Sequence, residues 1–331
     1  MAEPRFISMR RALYGLLSLA LGLAFIVWIV CSVPQDELLV VIYTVSPFQL
    51  AALMFLGAIP ALFLEPDRIS RFLAVMRISA SRRELCKVCY PVNTLSLIAP
   101  FQSGEWLKAR LLNASWPLST VSALGLLVAE KGFLLLATMA WVLLPSLLRL
   151  HVVGGLVLWL GILFILAPFI LSRVLPRLAG NAHLPQSIGE ALLFFRNLSN
   201  LNTLMLIVVS LLNQLFDILL FSLSLLAVGA DIPILVSTEV VMLAVLLSKL
   251  PLTPAGLGVR EGGLVLGLSG YAPAPMLVGA SLLFGAIKFW IPCLITAGYV
   301  TALQTALKQV ANDMKLLWDQ WRVSRRTKES G

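Results

Sequence analysis

Nine ionisable side chains lie within or beside strongly apolar stretches of the chain, where an isolated charge is unfavourable. At the centre of a membrane helix, each such charge costs about 2.5–3.5 kcal/mol on insertion scales. The nine residues are Glu105, Arg110, Glu130, Lys131, Asp217, Lys249, Arg260, Glu261 and Lys288. Four are acids and five are bases, which leaves one surplus positive charge. We therefore expect them to pair with one another or to line a polar cavity that suits an anionic guest, such as a lipid phosphate.

Several of these charges accompany breaks in the backbone. The stretch SKLPLTPAGLGVREGG, residues 248–263, precedes Arg260 and Glu261 with the backbone-breaking residues Pro251, Pro254, Gly256 and Gly258. Proline lacks the N–H that a helix needs, and glycine adopts backbone angles that other residues resist. The stretch NTLSLIAPFQSGEWLKARLL, residues 93–112, similarly precedes Glu105 with Pro100 and Gly104. Such a break is tolerated at membrane depth only where protein or a polar cavity satisfies the freed backbone groups.

The composition is that of a membrane protein. Of the 331 residues, 59% are hydrophobic and 12% are charged, whereas about a quarter of a soluble domain is charged. Apolar segments lie near 12–33, 40–64, 117–147, 152–172, 203–229, 232–250 and 274–303. The first is longer than the apolar core of a typical signal peptide and no A-x-A-like cleavage site follows it, so we interpret it as a retained span. Residues 1–307 are predicted to form one transmembrane domain.

The distribution of charge indicates the orientation. Six bases and three acids lie between Glu65 and Pro91, and six bases and three acids follow from Lys308 onward, whereas the loop after the first segment carries Asp36 and Glu37. The positive-inside rule then places the chain in the cytoplasmic membrane with both termini cytoplasmic. Residues 308–331 are predicted to form a basic amphipathic helix on the inner leaflet, with a solvated tail as the alternative. This distribution argues against nucleic acid as a partner.

If every apolar segment crosses the membrane, starting from a cytoplasmic N-terminus, the basic C-terminal tail lies outside. That result conflicts with the orientation indicated by the charges. The conflict disappears if 232–250 enters from outside, breaks at 251–261 and returns through 262–272. The stretch 93–112 would likewise enter from inside and return. We therefore predict an all-α polytopic membrane protein with about six full spans plus two re-entrant broken helical hairpins. Two breaks from opposite faces are consistent with an inverted repeat around a site at the membrane midplane.

Each charged residue also has a purely structural interpretation. Asp217 lies one helical turn after Asn213, on a polar face that suits hydrogen bonds between helices. Arg260 and Glu261 can pair with each other and only fix the break. Lys249, near a helix end, can extend its amine to the membrane interface. Glu130 with Lys131, and Lys288, can form buried ion pairs, and Arg110 can face the cytoplasm.

No pattern predicts a cofactor or a metal. Cys86 and Cys89 have CxxC spacing, but zinc needs two more ligands, and the two histidines, His151 and His183, are distant in sequence. The glycines before Glu261 lack the last glycine of a dinucleotide-binding motif. The sequence also contains no P-loop, HExxH or G-x-S-x-G motif. We expect no metal and no cofactor, and an ATP-driven step would need a partner protein.

Three stretches together resemble the flippase-like membrane family that includes the transmembrane part of lysylphosphatidylglycerol synthases. LPLTPAGLGVREG looks like a signature of that family, and APFQSGEWLKARLL is similar to its P-x-x-x-G-E-x-x-R-like stretch. The pair Glu130–Lys131 resembles its third feature, an acidic residue followed by arginine. The resemblance covers the core of nearly the whole chain. It implies translocation of lipids or lipid-linked intermediates across the cytoplasmic membrane of a bacterium or archaeon.

The resemblance also implies functional roles for particular positions. These are Pro100, Gly104, Glu105, Glu130, Pro254, Gly256, Gly258, Arg260 and Glu261. The chain departs from the pattern twice: the base nearest Glu105 is Lys108, with Arg110 one place late, and Lys131 stands where arginine is usual. Lysine cannot make the bidentate phosphate contact of arginine. We expect no synthesis of lysyl-lipid by this chain alone, because no soluble aminoacyl-transferring domain follows the last segment.

Three functions fit these observations. The first is flipping of an anionic lipid or lipid-linked glycan intermediate, with a phospholipid or a polyprenyl-phosphate-linked lipid as partner. The second is an accessory subunit of an envelope lipid or polysaccharide pathway, bound to other proteins of envelope biosynthesis. The third is a transferase that uses Glu105 or Glu261 as general base, although no loop is long enough for a nucleotide-sugar pocket. We expect a transporter and not an enzyme.

Overall fold

The computed structural model describes residues 20, 23–24, 26–98, 103–148, 200–248, 253, 256, 258–299 and 304. Every regular element among these residues is helical, so the predicted all-α class is confirmed for this part of the chain. The elements are α1 (Gln35–Thr44), α2 (Pro47–Ile59), a π-helical segment (Pro60–Leu64), α3 (Glu65–Val75), α4 (Arg82–Ile98), α5 (Ser103–Ser115), α6 (Thr120–Leu148), α7 (Asn200–Ala227), α8 (Ile234–Leu247), α9 (Val259–Leu268) and α10 (Ala274–Ala297).

Four helical stretches are long and apolar enough to cross a membrane, which confirms a multi-pass membrane protein. They are Pro47–Val75, Thr120–Pro145, Leu201–Ala227 and Ala274–Ala297. The predicted segment 152–172, most of 12–33 and the tail 308–331 lie outside the described residues. The predicted six full spans and the position of both termini therefore stay predictions.

The segment predicted near 40–64 has different bounds in the structure. Helix α1 ends at Thr44, and a new helix begins at Pro47 and continues to Val75. The interruption has a local cause, because the residue before a proline disfavours the helical conformation. Ser46 then caps the new helix: its hydroxyl accepts the Gln49 N–H at 3.2 Å, and its own N–H donates to the Gln49 side chain at 2.8 Å.

Two prolines disturb the middle of this long helix. The N–H of Glu65 donates to the carbonyl of Pro60, five residues back, which makes residues Pro60–Leu64 a π-helical turn. Pro66 has no N–H, so the carbonyl of Leu62 loses its usual helical donor. Two side chains of α4 replace it: Tyr90 Oη donates at 3.1 Å and Arg82 Nη2 at 3.2 Å. The disturbed turn therefore attaches the long helix to α4.

Helices α8 and α9 form an antiparallel pair. Gly263 of α9 lies against Ala244 of α8, and Gly267, one turn later, lies against Val240, one turn earlier. The two helices have 14 and 10 residues, whereas a helix needs about 20 to span a bilayer. The geometry of the pair is that of the predicted second hairpin. Its re-entry into the membrane stays a prediction.

Helices α4 and α5 flank the other predicted break. They pack against each other, and the residues between them, 99–102, lie outside the described ranges. Pro100 falls in that gap, while Gly104 is the second residue of α5. Both predicted breaks thus separate two helices that contact each other.

The buried apolar side chains form two large clusters, one around α3–α6 and one around α7–α10. An edge-to-face aromatic pair lies within each: Phe72 and Phe133 at 5.8 Å between ring centres, and Phe221 and Phe284 at 5.5 Å. Helix α10 packs against α4, α7 and α9, so it contacts elements of both halves. Helix α10 thus contacts one helix next to each predicted break, α4 and α9.

The close approach of α8 and α9 predicts the effect of adding one methyl group. A Cβ at Gly267 would lie 2.5 Å from Cγ1 of Val240, whose β-branched side chain has little rotamer freedom. We expect Gly267→Ala to lower the free energy of unfolding by about 1–3 kcal/mol, measured by denaturation in detergent. In the control Gly132→Ala on α6, the added Cβ meets nothing within 4 Å. An equal effect of both substitutions would contradict the tight contact.

Candidate functional site

Five side chains from four helices form a buried polar group, here called the Glu130 cluster. It comprises Glu65 and Arg68 of α3, Asn93 of α4, Lys108 of α5 and Glu130 of α6. Arg68 donates to Glu130 Oε1 from Nε at 3.1 Å and from Nη2 at 2.7 Å. Lys108 Nζ lies 2.9 Å from Glu65 Oε1 and 3.2 Å from Glu130 Oε2. Asn93 donates its amide N–H to the other oxygen of Glu65.

The backbone of each helix explains how these side chains meet. Glu65 is the first residue after the π-helical turn, and Arg68 follows three residues later, so both project from the same face of α3. π-Helical turns within helices are frequent at functional sites. Lys108 and Glu130 lie in the interiors of α5 and α6, which pack against each other. The cluster therefore fixes α3, α5 and α6 to one another.

Sequence reasoning misses most of this cluster. It identifies Glu130, treats Lys108 only as a departure from a family pattern, and does not single out Glu65 or Asn93. It counts Arg68 only among the bases that indicate the orientation, whereas the structure buries Arg68 against Glu130. The signal that could have found Glu65 and Arg68 is the pair of prolines, Pro60 and Pro66, inside an apolar helix.

A second ion pair lies at the start of α9. Arg260 donates to Glu261 Oε1 from Nε at 3.1 Å and from Nη2 at 2.6 Å, and both residues are buried. The other carboxylate oxygen of Glu261 accepts the Gly258 N–H at 2.7 Å and so caps the helix. Gly258 has φ +80° and Gly256 has φ +73°, a conformation that favours glycine. The local pairing of Arg260 with Glu261 is thus one of the two arrangements that the sequence left open.

Gly256 is also held by a close contact. A Cβ at this position would lie 2.3 Å from Cβ of Ser248, the residue that ends α8. Any side chain at Gly256 would push the turn away from α8. Pro251, Pro254 and Lys249 of the same turn lie outside the described residues.

The third ion pair joins α7 to α10. Lys288 Nζ lies 2.5 Å from Asp217 Oδ1. The Lys288 side chain is 30% exposed, whereas that of Asp217 is 8% exposed. Gln214, one turn before Asp217, donates to the carbonyl of Leu134 on α6 at 3.5 Å. The polar face of α7 therefore makes contacts with α6 and α10, and the Lys288 side chain of its ion pair is partly exposed.

Polar contacts continue along α10 in both directions from Lys288. One turn earlier, Gly285 gives the second ion pair its space, because a Cβ there would lie 2.8 Å from Glu261 Oε1 and 3.3 Å from Arg260 Nη2. The guanidinium of Arg260 also lies over the ring of Phe284, 5.1 Å from its centre. One turn after Lys288, Pro292 cannot donate an N–H to the Lys288 carbonyl.

Helix α4 meets the far end of this face. Thr94 Oγ1 donates to the Pro292 carbonyl at 3.2 Å and to Thr296 Oγ1 at 2.6 Å, and Thr296 donates to the Tyr90 carbonyl at 2.7 Å. Asn93, next to Thr94, belongs to the Glu130 cluster. We call this series of contacts the α10 track. Its residues are Arg260, Glu261, Asp217, Lys288, Thr94 and Thr296.

The remaining predicted residues have different surroundings. Arg110 on α5 and Lys131 on α6 are half-buried. Glu105 belongs to α5, but its side chain lies outside the described part of the structure. Within the described ranges, no group of three or more His, Cys, Asp or Glu side chains could hold a metal ion.

The buried ion pairs described above contain equal numbers of acids and bases. Their members are Glu65, Arg68, Lys108, Glu130, Asp217, Arg260, Glu261 and Lys288, four acids and four bases. The surplus positive charge predicted from the sequence is therefore not carried by these eight residues. An anionic guest that binds to one of these pairs would have to replace a carboxylate as partner of a base, or bring a cation with it.

A model of a known protein family matches the chain. The family model described as "Lysylphosphatidylglycerol synthase TM region" matches residues 15–296, which is most of the chain. This confirms the family resemblance read from the sequence. No curated protein matches the chain.

The Glu130 cluster predicts that Glu130 and the more exposed Asp67 contribute very differently to the free energy of unfolding. Removing one member of a buried ion pair leaves the partner's charge without compensation, so we expect Glu130→Ala to lower the free energy of unfolding by about 3–5 kcal/mol. The control is Asp67→Ala, which breaks the pair with Arg71, whose side chains are 45% and 38% exposed. That pair is expected to contribute about 1 kcal/mol or less. Denaturation in detergent measures both, and similar losses would contradict the central role of Glu130.

Proposed function

We propose that the chain, which belongs to the lysylphosphatidylglycerol synthase transmembrane-region family, flips an anionic lipid or a lipid-linked glycan intermediate across the cytoplasmic membrane. The observation that carries the proposal is the α10 track, a series of charged and hydroxyl side chains from α4, α7, α9 and α10 along a helix, α10, that is otherwise strongly apolar. A headgroup that crosses a membrane needs such a line of polar partners, because the hydrocarbon core offers none.

The length of the track suits this role. From Gly285 to Thr296 the helix rises by about 16 Å, roughly half of the hydrocarbon core of about 30 Å. The Arg260–Glu261 pair lies beside one end, and the other end leads through Thr94 and Asn93 to the Glu130 cluster. The helices next to the two predicted breaks, α9 and α4, thus contact opposite ends of this face.

The proposed step is an exchange of partners. Among the eight residues of the buried ion pairs, Lys288 has the most exposed side chain. It is therefore the base that a headgroup phosphate meets first. The phosphate replaces Asp217 as the partner of Lys288 and then meets Arg260 one turn away. Each exchange keeps every base paired but leaves the replaced carboxylate, first that of Asp217, without its base, so that water or a cation has to accompany the headgroup. The acyl chains remain in lipid throughout.

The lipid is proposed to be a phospholipid or a polyprenyl-phosphate-linked lipid, since both carry a phosphate beside long apolar chains. We also propose that proteins of envelope biosynthesis supply or receive it. The internal balance of the ion pairs favours one second candidate, an accessory subunit without transport activity, because charges that serve only folding are also expected to pair completely. The two candidates differ in whether removing a pair stops lipid movement in a protein that still folds.

The re-entrant hairpin predicts the sidedness of the loop after α9. If α8 enters from outside and α9 returns, Tyr271, which is exposed, lies on the outer side. We expect Tyr271→Cys to react with an impermeant thiol reagent added outside. The test uses a protein in which serine replaces all four native cysteines, Cys31, Cys86, Cys89 and Cys293. Reaction from the cytoplasmic side alone would exclude the hairpin.

Removing the Asp217–Lys288 pair as a unit tests the transport itself. The double variant Asp217→Leu/Lys288→Met leaves no unpaired charge, and such replacements are often neutral for stability. We expect it to fold and to slow transbilayer movement of tail-labelled phosphatidylglycerol at least about tenfold, since each lost contact to a charged group contributes roughly 1.5–3 kcal/mol. The assay reconstitutes the protein in liposomes and measures how fast inner-leaflet label reaches an impermeant quencher.

The matched control for this assay is Asp67→Asn/Arg71→Gln, which removes an ion pair that does not belong to the track. It should move lipid at the rate of the parent. A folded Asp217→Leu/Lys288→Met variant that also keeps the parent rate would exclude the track as the headgroup path. No movement by the parent, with phosphatidylglycerol or with a short-chain polyprenyl-phosphate lipid, would favour the accessory subunit.

A further inference from the structure

A cavity lies between α6 and α7, two helices that are long and apolar enough to cross a membrane. We call it the α6–α7 cavity. Its volume is about 90 Å³, whereas a single water needs about 10–15 Å³. The cavity therefore has room for a ligand larger than one water. Its lining is almost entirely apolar and comes from six residues: Phe133, Leu136, Ala137, Ala140, Ile207 and Leu211.

Hydrogen bonds beside the cavity hold the two helices in place. Trp141 Nε1 donates to the carbonyl of Leu211 at 3.1 Å, and Gln214 Nε2 donates to the carbonyl of Leu134 at 3.5 Å. These bonds oppose the shift that would close the cavity. An unfilled cavity destabilises a protein, because the side chains around it lose packing contacts. We therefore expect a ligand to occupy the space.

The lining and the position of the cavity favour hydrocarbon over water. A buried water needs two to four polar partners, and this lining offers almost none. Three lining residues, Ala140, Ile207 and Leu211, are half-buried and form the rim, while the other three are buried. Next to the rim on α7, Leu204 and Val208 are exposed. The cavity thus opens toward the apolar surroundings of the bundle, from which a lipid chain can enter.

A hydroxyl without a partner lies beside the cavity. Ser210 is adjacent to Leu211 and three residues after Ile207, on the same face of α7. Its Oγ is buried and has no hydrogen-bond partner among the described residues. By contrast, Ser224 of the same helix donates to the carbonyl of Leu220 at 2.8 Å, which is a usual partner for serine within a helix. The Ser210 hydroxyl would therefore be stabilised by an acceptor that a ligand brings.

The order of these features along α7 matches the order of groups in a diacyl phospholipid. Asp217, the partner of Lys288, is followed toward the N-terminus by the Ser210 hydroxyl and then by the cavity at Ile207. The helix rises about 15 Å over these ten residues. A phospholipid carries a phosphate, an ester carbonyl and an acyl chain in this sequence. The ester carbonyl only accepts hydrogen bonds, so a serine hydroxyl suits it, whereas a polyprenyl phosphate has no such carbonyl.

We propose that the α6–α7 cavity binds one acyl chain of a diacyl phospholipid, whose ester carbonyl accepts a hydrogen bond from the Ser210 hydroxyl. The inference rests on the proposed function in one respect, because it places the phosphate of the same lipid at Lys288. Gln214 Oε1, a second buried acceptor without a partner among the described residues, then accepts from a headgroup hydroxyl or from water that accompanies it. The chain stays in apolar surroundings, because the cavity opens to lipid.

Binding of this chain depends on packing and on the Ser210 hydrogen bond. Lipid tails are as apolar as the lining of the cavity, so transfer of a chain from the bilayer gains nothing from the hydrophobic effect. Close contacts with the lining and the bond to the ester are what distinguish a bound chain from one that merely surrounds the bundle. A probe for the site must therefore compare the cavity with lipid-facing positions of the same helix.

Photolabelling of the full-length protein in nanodiscs of ether-linked phosphatidylcholine makes this comparison without requiring transport. The probe is phosphatidylglycerol with a diazirine in one ester-linked acyl chain, and mass spectrometry of peptides locates the adducts. We expect adducts at the lining residues to saturate as the probe fraction rises. Adducts near Val128, an exposed residue of α6, should rise in proportion to the probe.

Two variants and a second probe give specific outcomes. Ala140→Phe should lower the yield of cavity adducts at least about tenfold, because the ring takes the space of the chain and its packing contacts. The control Val128→Phe adds a ring on the lipid-facing side of the same helix and should leave the yield unchanged. Ser210→Ala should lower the yield about fivefold at low probe fraction, the effect of one neutral hydrogen bond. Ether-linked phosphatidylglycerol with the same diazirine should show no loss in Ser210→Ala.

Several results would overturn the proposal. These are adducts confined to exposed positions such as Val128, cavity adducts that never saturate, or an unchanged yield in Ala140→Phe. Should Ala140→Phe fail to fold, an equal effect of Ser210→Ala on the ester and ether probes is still decisive against the site. Saturable labelling by a diazirine-bearing polyprenyl phosphate and not by phosphatidylglycerol would exclude an acyl chain as the occupant.

The chain site and the proposed flipping can fail separately. Saturable labelling of the cavity without lipid movement in liposomes would leave the chain site intact and exclude flipping. Lipid movement by a protein whose cavity is not labelled would leave flipping intact and exclude the chain site.

Discussion

The structure depends on keeping each buried charge paired within an apolar bundle. Glu130 shows this constraint most clearly, because its one carboxylate is shared by Arg68 and Lys108 and thereby ties three helices together. Lys108 in turn holds Glu65, so the position of each member depends on the others. Hydrophobic packing alone would let such helices slide, since lipid tails are as apolar as their side chains. The ion pairs therefore fix the positions of the helices relative to one another.

Backbone irregularities place these charges where they can pair. The prolines at 60 and 66 produce the π-helical turn from which Glu65 emerges, and the freed carbonyl of Leu62 is bonded by α4. At the second break, glycines with positive φ allow Glu261 to cap its own helix while it pairs with Arg260. Each irregularity leaves backbone groups without their usual partners, and in both places side chains replace those partners.

These two features together connect the structure to function. In the proposed function, an anion enters such a set of ion pairs by replacing a carboxylate as the partner of a base. The α10 track offers this exchange at Lys288, its partly exposed base. The chain belongs to the family described as the transmembrane region of lysylphosphatidylglycerol synthases, over residues 15–296.

The sequence by itself determined the class of the protein, because hydrophobic composition, segment length and the positions of proline and glycine are local properties. It also identified most of the charges that form the ion pairs, since a charge in an apolar segment is conspicuous without any structure. It did not determine which charges meet, and it counted Arg68 only among the bases that indicate the orientation. Pairing depends on how helices distant in the chain pack: Arg68 and Glu130 are 62 residues apart and Asp217 and Lys288 are 71 apart. Only the tertiary structure brings them within hydrogen-bonding distance.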